Sequence, residues 1–182
     1  MFPVGGVGVM LVLIALAAGV SALLVLALQE RFGRPWSVLC GLLLWSVVVI
    51  GVLTLIPANG APGIVPAEGR LTECSWDIGG PAPDGFWILP GGQRMLNAVV
   101  FVPAGVLLVL VAARWKWAWV TVPLGLAVLA GYSTLIELTQ LSLARIDRAC
   151  DVTDIIDNVT GAVIGVLIGL ALLPVVRPWR MR

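Results

Sequence analysis

The chain has 182 residues, of which 60% are hydrophobic and 12% charged, with a mean hydropathy of +1.06 and a formal net charge of +1. No interior built from so short a chain hides that much apolar side chain, which excludes a water-soluble globule. The absence of histidine excludes His-based phosphatase chemistry and His-dependent triads.

In chain order, apolar runs cover residues 4–28, 36–57, 94–113, 117–140 and 154–176. Each is long enough to cross a hydrocarbon core of about 30 Å at about 1.5 Å per residue. None alternates with period two, and all are too long for barrel strands. The prediction is an all-α polytopic bundle of five spans forming a single membrane domain. In the first run, Ala15-Leu16-Ala17 resembles a signal-peptide cleavage site. That run lacks a basic leading region and stays apolar beyond the site, so it reads as an uncleaved span. The segment 58–93 is dense in proline and glycine and is expected to be irregular. Within it, "GFWILP" at 85–90 is an apolar patch that either dips into the membrane interface or packs on the loop. Pro103 cannot donate to the Val99 carbonyl, which predicts a kink in the third span.

Charge gives the orientation. Arg31, Arg34, Arg114, Lys116, Arg177, Arg180 and Arg182 are seven of the eleven basic residues, and all fall on one side of the five spans. The positive-inside rule makes that side cytoplasmic, with the N-terminus outside and the C-terminus inside. Trp36, Trp115, Trp117, Trp119 and Trp179 are expected at the same inner interface, where amphipathic rings settle. Cys40 lies within a span and reads as packing. Cys74 and Cys150 lie in the two loops assigned to the outside, where an oxidising compartment would let them pair; two solitary thiols are the alternative.

Three polar motifs share one depth near the outer ends of spans. They are Arg94 and Asn97; Glu137 and Gln140; and Asp154, Asp157 and Asn158. Offsets of three and four place each set on a common helix face. Gly161, Gly165 and Gly169 repeat every fourth residue, the small-residue pattern that lets membrane helices approach closely. Asp154 and Asn158 are read as continuing that stripe into the bundle, and Asp157 as a peripheral carboxylate. A buried Glu137 needs a partner or a proton. The expected network joins Arg94, Glu137, Asp154 and Arg148, with Asn97, Gln140 and Asn158 filling the remaining bonds. Asp151 and Asp154 also suit a helix N-terminus, as cap and dipole partner.

"RMLNAVVFVPAGVLL" (94–108), "STLIELTQ" (133–140) and "RACDVTDIIDNVTGAVIG" (148–165) together resemble the VanZ-like family of membrane proteins. The positions that carry the resemblance are Arg94, Asn97, Phe101, Pro103 and Gly105; Ser133, Glu137 and Gln140; and Arg148, Asp151, Asp154, Asn158, Gly161 and Gly165. It covers residues 94–170, and the first two spans carry no matching motif. Pro103, Gly105, Gly161, Gly165 and Gly169 are taken as helix-packing positions. The resemblance implies a cell-envelope role, bearing on lipid or lipid-linked wall precursors and on access of glycopeptides such as teicoplanin to them.

Three functions compete. In the first, an outer-leaflet site binds the headgroup of a membrane lipid or lipid-linked cell-wall precursor. Arg94 and Arg148 would be its anion ligands, and Asn97, Glu137, Gln140, Asp151, Asp154 and Asn158 would line it. The second is a membrane enzyme using Glu137 or Asp154 as general acid or base. The third is a small transporter, disfavoured because the polar residues stay at one depth and no duplicated half is visible. A purely structural clasp of three helices is the bland alternative. No cofactor and no nucleic acid are expected, and a homo-oligomer is allowed. Nearby arginines argue against a cation held by Asp151, Asp154, Asp157 and Glu137. The expected location is the bacterial plasma membrane.

Overall fold

A computed structural model of the chain describes residues 5–58, 72–76, 92–143 and 150–181. Five helices follow in order: α1 Val7–Phe32, α2 Arg34–Leu55, α3 Gln93–Ala112, α4 Ala118–Leu143 and α5 Val152–Val176. A short 3-10 turn over Pro178–Arg180 comes after them. All five helices are long and apolar enough to cross a membrane. Among the described residues there is no strand, only an isolated bridge between Ser75 and Asp151. The "GFWILP" patch, Arg145 and Arg148 lie outside the described residues.

Helix ends follow local chemistry rather than the edge of hydrophobicity. α1 continues beyond the apolar run through Gln29, Glu30 and Arg31 and stops at Gly33, whose φ of 83° suits a residue without Cβ. Pro35 then opens α2, where a missing amide costs nothing. A single glycine therefore turns α1 back as α2. α5 starts at Val152 because Asp151 caps it, accepting from the Thr153 amide at 2.8 Å. α3 runs through Pro103, whose side chain is exposed.

The closest association is between α3 and α5, which run parallel. Arg94 meets Asp157 across 63 residues of sequence, and the same separation relates Ala98 to Gly161 and Val102 to Gly165. A Cβ on Gly161 would run into the Ala98 carbonyl, and one on Gly165 into that of Val102. A Cβ on Gly105 would lie 3.0 Å from the Gly165 Cα. Three glycines thus let two backbones touch, as small residues do where lipid supplies no hydrophobic drive between helices. Gly169 continues the line against Val109 and Val106. Pro103, by contrast, is not on the packing face; it lies on the opposite side of α3 from the Gly105 contact. Around this pair α2 and α4 complete a core of Ile50, Phe101, Ala104, Leu129, Ile136 and Ala162. α1 packs almost entirely on α2, where Gly41 admits the Ser21 carbonyl and Val25. Exposed Leu16, Leu23, Leu124, Val128, Leu167 and Val175 form the outer surface of the bundle, suited to lipid tails.

One end of the bundle gathers the aromatic and basic residues. Arg114 donates to the carbonyls of Phe32 and Met181, and its guanidinium lies 5.1–5.8 Å from the rings of Phe32, Trp36 and Trp115. Trp36 is not an interfacial ring. It is buried, and its indole donates to the Val111 carbonyl at 3.0 Å. Trp115, Trp117, Trp119 and Trp179 are exposed. The opposite end carries the disulfide and the polar cluster.

Candidate functional site

The polar cluster is assembled at the disulfide end from the starts of α3 and α5 and the ends of α2 and α4. Its rim is an ion pair. Arg94 donates from Nε to Asp157 Oδ2 at 2.8 Å and from Nη2 to Oδ1 at 3.0 Å, the two-pronged geometry that a guanidinium makes with a carboxylate. The Arg94 side chain is 39% exposed and that of Asp157 12%. This corrects two expectations. Asp157 is no peripheral carboxylate but the residue four before Gly161, so it continues the glycine stripe against α3. Asp154, seven before Gly161, lies on the same stripe and is half-buried. Arg94 is committed to Asp157 rather than to Glu137 or Asp154, though Asp151 and Asp154 add longer-range attraction.

Deeper in, Glu137 is 2% exposed and its Oε2 accepts from the Asp151 amide at 3.1 Å. Its carboxylate thereby fastens the end of α4 to the start of α5, where the helix dipole favours negative charge. Gln140, also buried, donates to the Thr54 carbonyl at 3.0 Å and ties in α2. Asn158 is 2% exposed and donates to the fully buried Ser133 hydroxyl at 2.9 Å.

A strap holds this end shut. Cys74 and Cys150 form a disulfide with Cα atoms 4.6 Å apart. Beside it the Ser75 amide donates to the Cys150 carbonyl at 2.9 Å, and the Val152 amide to the Ser75 carbonyl at 3.1 Å. The opening amides of α5 are consequently all engaged: Asp151 by Glu137, Val152 by Ser75, Thr153 by the Asp151 side chain and Asp154 by the Asp151 carbonyl. A helix start is an anion cradle only while its amides are free; this one is filled by the protein itself.

Two buried polar atoms in the cluster lack a hydrogen-bond partner among the described residues: Asn97 Nδ2 and Asn158 Oδ1. Such orphans are rare in native proteins because each forfeits about 1–3 kcal/mol of desolvation. The charge inventory is lopsided as well. At this end the described residues set one cation, Arg94, against the carboxylates of Glu73, Glu137, Asp151, Asp154 and Asp157. Among them, no group of three His, Cys, Asp or Glu is arranged to hold a metal ion.

Sequence reasoning placed Asn97, Glu137, Gln140, Asp151 and Asn158 at one site, and the structure puts all five at the same end of the bundle, with Glu137 bonded to the Asp151 amide. It missed the role of Asp157, although the four-residue step to Gly161 was there to read. It also missed Thr54, which contributes only a backbone carbonyl and so leaves no side-chain signal. Arg148, expected as a second cation, lies outside the described residues.

No curated protein and no solved structure matches the chain. A family model described as VanZ/LLP1 matches residues 38–173, spanning most of α2 to nearly the end of α5 and every described residue of the polar cluster and of the strap. With well over half of its length matched, the chain belongs to the VanZ/LLP1 family of membrane proteins.

Proposed function

We propose that this is a plasma-membrane protein of the bacterial cell envelope whose polar cluster binds the headgroup of a membrane lipid or lipid-linked wall precursor at the outer leaflet. The observation that carries the reading is the pair of orphaned polar atoms, Asn97 Nδ2 and Asn158 Oδ1, inside a cluster whose other groups are mutually bonded. A structural clasp satisfies its own members; a binding site leaves groups for something else. The orientation rests on the basic residues at the opposite end, and the Cys74–Cys150 bridge suits an oxidising exterior. An influence on glycopeptide susceptibility would follow from a change in exposure of the bound lipid.

The test is native mass spectrometry of protein extracted from its own membranes in a non-glycosidic detergent, comparing wild type, Asn158→Leu and Gly131→Leu. Gly131 lies on the exposed side of α4 with open space around it. Wild type and Gly131→Leu should retain a lipid that Asn158→Leu loses while keeping a cooperative thermal transition. Absence of any retained lipid from the wild type would contradict the reading.

A further inference from the structure

The chemistry of the headgroup can be taken further from the same atoms, and this step rests on the headgroup reading above. The two orphans lie at one depth. Relative to the register set by Arg94–Asp157, Asn97 and Asn158 are offset by two residues, about 3 Å along the helix axis. They also turn to the same side of the α3–α5 contact. Asn97 shares its face of α3 with Phe101 and Ala104, and Asn158 shares its face of α5 with Ala162; all three of those residues are fully buried in one core cluster. One orphan is a donor and the other an acceptor. Turning the Asn158 amide over would let its Oδ1 accept from Ser133 and leave a second donor beside Asn97 Nδ2; the two lone pairs of a hydroxyl oxygen serve two donors as well.

A ligand for such a pair must both donate and accept within a short reach, which is the property of a hydroxyl group. An anion meets two obstacles among the described residues. The Arg94 guanidinium already gives two of its nitrogens to Asp157, and the opening amides of α5 are engaged. A cation would suit the carboxylates but could not accept from Asn97 Nδ2. We infer that the cluster recognises a neutral, hydroxyl-bearing headgroup, a sugar or polyol carried by a lipid, with one hydroxyl seated between Asn97 and Asn158. Arg94 and Asp157 act as positioning residues that fix the α3–α5 spacing around it.

The experiment uses the full chain in phosphatidylcholine nanodiscs containing equal minor amounts of glucosyl-diacylglycerol and 3-O-methyl-diacylglycerol, a matched lipid whose head carries no hydroxyl. Bound species are counted by native mass spectrometry. Two hydrogen bonds to one hydroxyl predict about ten-fold enrichment of the glucosyl lipid over the O-methyl lipid. Asn97→Leu should bring the ratio near unity without lowering the melting temperature, since Nδ2 has no partner to lose. Asn158→Leu should do the same to the ratio, at some cost in stability through Ser133. Displacement by soluble methyl glucoside would assign recognition to the sugar alone; enrichment without displacement would assign it to a sugar on a lipid anchor. Lipid bound without preference for the glucosyl form, or a preference that survives in Asn97→Leu, overturns this inference and leaves the headgroup reading standing. No specifically bound lipid of any kind overturns both.

Discussion

Replacing Gly161 by alanine adds one methyl group at the tightest point of the bundle, and the structure gives the cost. The new Cβ would collide with the Ala98 carbonyl oxygen and lie 2.6 Å from its carbon and 2.8 Å from the Ala98 Cα, where ordinary contacts begin at 3.4 Å. Both obstacles are backbone, so no rotamer change relieves them. α3 must withdraw by about 1 Å, loosening the Val102–Gly165 and Gly105–Gly165 contacts and forfeiting a quarter to a half of each dispersion well. Overpacking of this kind costs about 1–3 kcal/mol, partly offset by about 1 kcal/mol from the better helix propensity of alanine. Gly131→Ala and Gly19→Ala meet nothing within 4 Å and keep only the favourable term. Gly161→Ala is therefore predicted to be destabilised, by up to about 2 kcal/mol, and Gly131→Ala to be unchanged or more stable by up to about 1 kcal/mol. Reversible unfolding by SDS titration in mixed micelles reads both. Equal stability of Gly161→Ala and Gly131→Ala would refute the close-contact argument.

Arg94→Ala leaves the Asp157 carboxylate in place without its partner and should cost about 1–3 kcal/mol, held down because the arginine side is partly exposed. The swapped pair Arg94→Asp with Asp157→Arg should recover part of that loss in the same titration; no recovery would mean the pair is not what is lost. The disulfide closes a separation of 76 residues, for which chain entropy sets a ceiling of about 4.5 kcal/mol. Since α3 and α4 stay helical in detergent and shorten the free loop, Cys74→Ser is expected to cost about 2 kcal/mol. Alkylation of denatured protein should label only Cys40 before reduction and all three cysteines after it. At the other end, Arg114→Lys keeps the charge but loses the fork that reaches both Phe32 and Met181. Hydrogen exchange should then rise several-fold over residues 177–181 with little change in α3, and unchanged exchange there would show that Arg114 does not hold the tail.

The spans were legible because hydropathy over twenty residues is a strong and local signal. Their ends were not, because they depend on single caps: Gly33 carries α1 past Gln29, Glu30 and Arg31, and Asp151 starts α5 two residues early. In the polar cluster, residue identity and depth could be read from spacing, but pairing could not. Arg94 had several acids at the right level, and the parallel register of α3 on α5, set by where glycines let backbones meet, selects Asp157 over Asp154. Thr54 and the Asp151 amide serve through the main chain, and no side-chain pattern announces that. The two orphaned amide atoms are likewise a property of three helices in place together.

The central claim is that Asn97 Nδ2 and Asn158 Oδ1 are left unpaired for a ligand. A crystal structure from lipidic mesophase, with protein purified in a non-glycosidic detergent with its own lipids and at a resolution that shows ordered water, tests it most directly. The account predicts density that bridges Asn97 Nδ2 and Asn158 Oδ1 and continues into an acyl chain. A single water between the two amides, or a direct hydrogen bond from one to the other, would contradict it and leave the cluster as a clasp that holds α3, α4 and α5 together.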